Sequence, residues 1–177
     1  MANSSMASRL DFKWLLQPVA LGAIVLGLVP CAHAANNCPW INEATVSNLL
    51  GADATGTATG AGAGQPGACT FVAQREGATH TLRIVVELAP DPHARVGQLA
   101  HLCATGTANL PAIGNEATVC ANDDRKGALG ERVVGRVRDQ VFTIAITSTQ
   151  KHDPLLDRSA LKSRIAIVAE QVSGNLF

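Results

Sequence analysis

The chain has 177 residues, and its 14 lysines and arginines balance 14 aspartates and glutamates to a formal net charge of zero. A neutral chain without a basic block lacks the footprint of a nucleic-acid binder, and it lacks the polybasic tail that adheres to anionic membranes. Aromatic residues make up only 3% and tyrosine is absent, which argues against stacking surfaces for sugars or bases.

The first 34 residues read as an export signal. Arg9 and Lys13 form a basic start, an apolar run spans Val19 to Val29, and Pro30 precedes the small-residue site Ala32-His33-Ala34. That run is 11 residues long, against about 20 for a membrane-spanning helix. The expected organisation is therefore a signal peptide over 1–34 and a single secreted or periplasmic α+β domain over 35–177, with no transmembrane segment in the mature chain. Cleavage near Ala34 leaves 12 basic and 13 acidic residues, since Arg9, Lys13 and Asp11 depart. Cys31 raises the alternative of lipidation. The enzyme that cuts before a lipidated cysteine wants a small residue there, and Pro30 fits poorly, so cleavage after Ala34 is preferred.

Beyond the signal, Asn42 suits a helix N-cap, Ile41 and Val46 fit a hydrophobic staple, and Gly51 a stop, so a helix is expected over 42–50. Weak alternation over Thr55–Thr59 suggests an edge strand, and Gly60–Gly67 a flexible loop. Residues 68–75 and 79–88 flank Glu76-Gly77 and predict a β-hairpin, with Leu82, Ile84, Val86 and Leu88 on its core face. Asp91-Pro92 opens a second helix, expected to reach about Thr105 before Gly106. After Pro111 a strand is expected around 117–121, then a polar turn over 122–130. A second hairpin follows, over 131–137 and 141–147, about Arg138-Asp139. A last helix begins near Pro154 or Ser159 and runs to Ser173, with Leu161, Ile165, Val168 and Val172 along one face.

The resulting order is α-βββα-βββα, a twisted antiparallel sheet with helices packed on it. Two similar halves after a leading helix suggest internal duplication. The pentapeptide NEATV occurs at 42–46 and again at 115–119, yet the first copy starts a helix and the second leads into a strand, because context outweighs propensity in so short a piece.

Cys38, Cys69, Cys103 and Cys120 form an even set in an oxidising compartment, which points to disulfides. Of the three possible pairings, sequence order favours Cys38–Cys69 and Cys103–Cys120, each tying a helix to a strand within its own half. Loops of this size contribute roughly 3–4 kcal/mol each in the chain-entropy model. No C-x-x-C occurs, and His80, His93, His101 and His152 show no H-x-x-x-H spacing, so neither a metal site nor a cofactor is expected.

Cys38-Pro39-Trp40, the helix end Leu49-Leu50-Gly51, Cys69-Thr70-Phe71 and Ile113-Gly114-Asn115-Glu116-Ala117 resemble short motifs of a broad group of bacterial extracytoplasmic domains of unknown function. That group includes small secreted or lipidated envelope proteins and sensor domains of receptor kinases. The resemblance spans most of 38–177 and implies an α+β sandwich similar to PsbP-like folds, with local disulfides in each half. It supplies no catalytic residue. Asn115 stands where the group usually has Asp.

No G-x-S-x-G is present, and Ser47, Ser148, Ser159, Ser163 and Ser173 fall near predicted helix ends or surfaces, so a hydrolase would need a Ser/His/Asp cluster assembled by the fold. Asp123-Asp124 is followed at once by Arg125-Lys126, which favours a solvated turn over a cation site. The glycine-rich 60–67 segment lacks the Lys-Ser/Thr and helix of a phosphate loop. Trp40 reads as a core anchor. Arg132, Arg136 and Arg138 alternate on one strand, with Arg83 on a neighbouring candidate. These four could line a basic stripe for an anionic ligand, or simply keep an outer face soluble by pairing with Glu87 or Glu131. The expected function is a non-enzymatic binding domain whose partner is a small ligand or an envelope protein. The alternative is a structural or protein-interaction module of the envelope, and a hydrolase is the remote one.

Overall fold

In a computed structural model that describes residues 37–62, 65–103, 106–123 and 128–177, three helices and seven strands follow one another. They are α1 (Glu43–Leu50), β1 (Ala54–Thr59), β2 (Gly67–Arg75), β3 (Ala78–Leu88), α2 (Pro92–Ala100), β4 (Ala108–Asn109), β5 (Glu116–Ala121), β6 (Leu129–Val137), β7 (Gln140–Ser148) and α3 (Arg158–Gly174). The expected export signal with Cys31 and the expected cleavage site at Ala34, part of the glycine-rich loop and Asp124 to Lys126 lie outside the described residues.

All strand pairs are antiparallel, in the spatial order β1-β2-β3-β7-β6-β5-β4. Each half of the chain contributes a meander, and the two meet where β3 pairs with β7. Period-2 alternation gives the sheet two unlike faces. One face carries Phe71, Leu82, Ile84, Val86, Val133, Phe142, Ile144 and Ile146, all buried. α1 and α3 cover it through Val46, Leu50, Leu161, Ile165, Val168 and Val172. The period-4,3,4 stripe of the last helix is thus its buried face.

The other face is covered only in part. Val96 of α2 packs on Val134 and Val141, which point away from the main core. The two halves therefore share the strand meander but not the placement of the preceding helix. The disulfides are Cys38–Cys69 and Cys103–Cys120, each with Cα atoms 5.7 Å apart. The first fixes the segment before α1 to the core face, and the second fixes the end of α2 to β5 on the outer face.

The expected elements are present with three changes. α2 ends at Ala100, short of Thr105, where the Leu102 and Cys103 amides donate to Leu99 and Ala100 and tighten the chain towards the Cys103–Cys120 bond. A two-residue strand, β4, pairs beyond β5, too short for alternation to announce. α3 is capped by Asp157, whose side chain accepts from the Ala160 amide at 2.7 Å, so Asp153-Pro154 is not its start. Asp153 is used elsewhere, as shown below. The two NEATV copies separate as expected: Asn42 accepts from Thr45 as the cap of α1, whereas Asn115 accepts from the Arg138 amide and precedes β5.

Candidate functional site

On the outer face, rows of in-register residues cross the sheet. One row runs Thr57, Thr70, Arg83, Ala145, Arg132, Cys120. Arg83 and Arg132 are not on adjacent strands, since β7 separates them, and each stands opposite the small Ala145. Thr143 and Thr147 lie two residues to either side of Ala145 on the same face. α2 packs on this face over β6 and β7 and reaches β3 through the Arg95–Glu87 pair, and Val72 of β2 is 38% exposed there.

The four candidate arginines divide. Arg83 is exposed, and among the described residues neither it nor Arg132 forms an ion pair. Arg132 is half-buried, with its Nε enclosed and without a hydrogen-bond partner. Arg136 is neutralised by Glu116 at 2.6 Å. Arg138 sits in the β6–β7 turn at φ 56° and places its guanidinium 5.9 Å from the centre of the Phe177 ring, out of the stripe. Pairing with Glu87 or Glu131 does not occur: Glu87 holds Arg95, and Glu131, on the core face, holds Arg158. Burial pushes the Glu116 carboxyl up, but hydrogen bonds from His93 and Arg136 outweigh it and leave it below the usual carboxylate range. The outer-face acids are thereby committed, and the Arg83–Arg132 row keeps two uncompensated cations.

Sequence reasoning treated the histidines as scattered, yet the fold assembles a Ser/His/Asp cluster. His80 shares the core parity of Leu82 and Ile84 and is 1% exposed. Its Nε2 lies 2.6 Å from Asp153 Oδ2 and its Nδ1 2.9 Å from the Leu50 carbonyl. Ser148 donates to the same carboxylate oxygen at 2.5 Å, and the Leu155 and Leu156 amides donate to the other. A carbonyl and an ionised carboxylate only accept, so both bonds to His80 form when both ring nitrogens carry hydrogen. A hydrolytic triad needs its hydroxyl on the imidazole, with solvent access. Here the hydroxyl is bound to the carboxylate and the cluster is enclosed, so this wiring joins α1, β3, β7 and the segment before α3 as structure. The available signal was parity: His80 continues the core face of β3.

Among the described residues the buried cluster packs between the sheet and α1 and α3. A cleft of about 570 Å³ beside the start of α1 has Ile41, Phe71 and Cys38 along it. Two of its polar side chains are already employed: Asn42 caps α1, and Glu43 accepts from the Gly56 amide. A cleft of about 260 Å³ includes Asp123, Glu131 and Arg158; there Asp123 accepts from the Gly130 amide and Arg158 bridges both acids. Trp40 is a core residue at 1% exposure. Among the described residues no three His, Cys, Asp or Glu side chains group to hold a metal ion, and no helix is long and apolar enough to cross a membrane. No family model, curated protein or solved structure matches the chain.

Proposed function

We propose that the chain is an exported, non-enzymatic binding domain that contacts an anionic ligand through the partly covered outer face of its sheet. The carrying observation is the pair Arg83 and Arg132, in one cross-strand row of the partly covered outer face, with no acidic partner among the described residues. The export signal, the two disulfides and the resemblance to bacterial extracytoplasmic domains support a site of action outside the cytoplasm, as a secreted or periplasmic protein cleaved near Ala34. The alternative, a protein-interaction module, would use the same face, because the β1 edge amides are capped from α1.

A thermal-shift panel tests this. Dicarboxylates, sugar phosphates and uronic-acid saccharides are compared with neutral saccharides at low and high salt. Anionic members are expected to raise the melting temperature of the native sequence at low salt, and an Arg83→Met/Arg132→Met protein to lose that response. An equal response in the double variant, or none to any anion, sinks the reading.

A further inference from the structure

We propose that Arg83, Ala145 and Arg132 form a notch for a dianionic tetrahedral oxyanion, the terminal group of a soluble phosphate monoester. This rests on the anion-binding reading above and assigns its ligand class. The two arginines flank β7 at the same register position, so their backbones are two strand spacings apart, roughly 10 Å. Between them rises only the methyl group of Ala145. Arginine side chains are long enough to reach over that floor from both sides and bracket one small anion.

The donor set selects the charge and shape. One guanidinium fork satisfies both oxygens of a carboxylate. Two forks facing each other leave a carboxylate short of acceptors, whereas a tetrahedral group presents oxygens to both. Thr143 and Thr147 add neutral hydroxyls on the same face of β7, and Thr70 stands opposite Arg83. The enclosed Arg132 Nε has lost water without gaining a partner, the condition under which a buried donor gains most from an arriving acceptor. The buried Cys120 of the second disulfide stands directly opposite Arg132 in the register. Among the described residues the large apolar side chain exposed on the strands of this face is Val72, too little for insertion into a bilayer, so the phosphate is assigned to a soluble molecule.

Titration calorimetry with inorganic phosphate and with acetate, at constant ionic strength, tests the assignment. Phosphate is expected to bind at least tenfold more tightly than acetate, and Arg83→Met and Arg132→Met each to weaken it tenfold or more. Lys162→Met, at an exposed position of α3 beyond the other face, leaves it unchanged. Ala145→Glu places a carboxylate in the notch and abolishes phosphate binding; Arg83 is exposed, so its variant carries the test if Ala145→Glu fails to fold. Equal affinity for the two anions, no loss in either arginine variant, or equal loss in Lys162→Met overturns the notch. If acetate binds as tightly as phosphate and both depend on Arg83, the dianion assignment falls while the anion-binding reading stands. If no anion binds, both fall. Arginine-dependent sedimentation with phosphatidic acid vesicles, absent with phosphatidylcholine, would overturn the soluble source.

Discussion

His80 and Asp153 meet at 2.6 Å in the interior, with side-chain exposures of 1% and 2%. The contact belongs to a larger arrangement at the end of α1, where three successive carbonyls accept from basic side chains of three other elements. Arg164 of α3 donates to Leu49, His80 of β3 to Leu50, and Arg75 of β2 to Gly51. α1 has no basic residue in its own last turn, so tertiary structure supplies the donors, two of them arginine cations of the kind its dipole favours. Removing one member of a buried pair strands the other. Asp153→Ala should therefore cost about 3–5 kcal/mol, read as a lowered urea midpoint with unchanged slope. Replacing His80 and Asp153 together by leucine should cost less than Asp153→Ala alone, because no charge is then left unpaired. A double variant worse than the single would contradict this account.

The same carboxylate sets an acid limit. Burial raises the tendency of Asp153 to stay protonated, but Ser148, the Leu155 amide, His80 and the Leu156 amide outweigh it and hold its carboxyl below the ordinary value. Asp123 is held low in the same sense, its burial outweighed by Arg158 and the Gly130 amide. A depressed carboxyl stabilises the fold above its unfolded value, about 3.9, and that stability is lost as pH falls through the lower folded value. Stability should therefore decline from about pH 4 downwards. Asp153→Asn should flatten the decline, measured as urea midpoints between pH 6 and 2. An unchanged slope in the variant would remove Asp153 from the acid response.

The glycines separate packing from propensity. Gly97 lies within α2 and a Cβ there meets nothing within 4 Å. Gly97→Ala should stabilise by about 0.5–1 kcal/mol, since glycine costs entropy in a helix. Gly114 has φ 59°, and a Cβ there would come within 2.4 Å of the Arg136 carbonyl oxygen. Gly114→Ala should destabilise by more than about 1 kcal/mol, because the added strain and the clash act together. Thermal melts of the two variants should move in opposite directions, and a shared direction would refute the argument.

Local signals reached the strand and helix content because they are carried by neighbours in sequence. Asn42 and Gly51 bound α1, the Glu76-Gly77 turn joins β2 to β3, and the 4,3,4 spacing of Leu161 to Val172 marks α3. The even cysteine count, read with the order of elements, gave both disulfides. What escaped depends on residues far apart in the chain. Asp153 resembled a helix cap, like Asp91, but the fold spends it on a histidine 73 residues away. The alternation of Arg132, Arg136 and Arg138 was legible, yet alternation cannot tell which acids stand opposite. Glu116, in the next strand, neutralises Arg136, and the turn rotates Arg138 towards Phe177. Only the register of β3, β7 and β6 brings Arg83 and Arg132 either side of Ala145.

A final prediction concerns the β1 edge, a strand of alanine, threonine and glycine with no charge or proline to deter pairing with another chain. Its outward amides are instead occupied from α1. Ser47 Oγ accepts from Ala54 at 2.9 Å and Glu43 Oε1 from Gly56 at 2.7 Å, two side chains one helical turn apart on the same helix face. Ser47→Ala/Glu43→Ala should lose roughly 1–3 kcal/mol from two unmade hydrogen bonds and leave the edge open. Size-exclusion chromatography with light scattering should then show concentration-dependent dimers absent from the native sequence. Adding Ala58→Pro, whose amide also faces away from β2 by alternation, should suppress them, since proline is tolerated at an outward edge position but offers no donor. Dimers that survive the proline would have to form through a surface other than this edge.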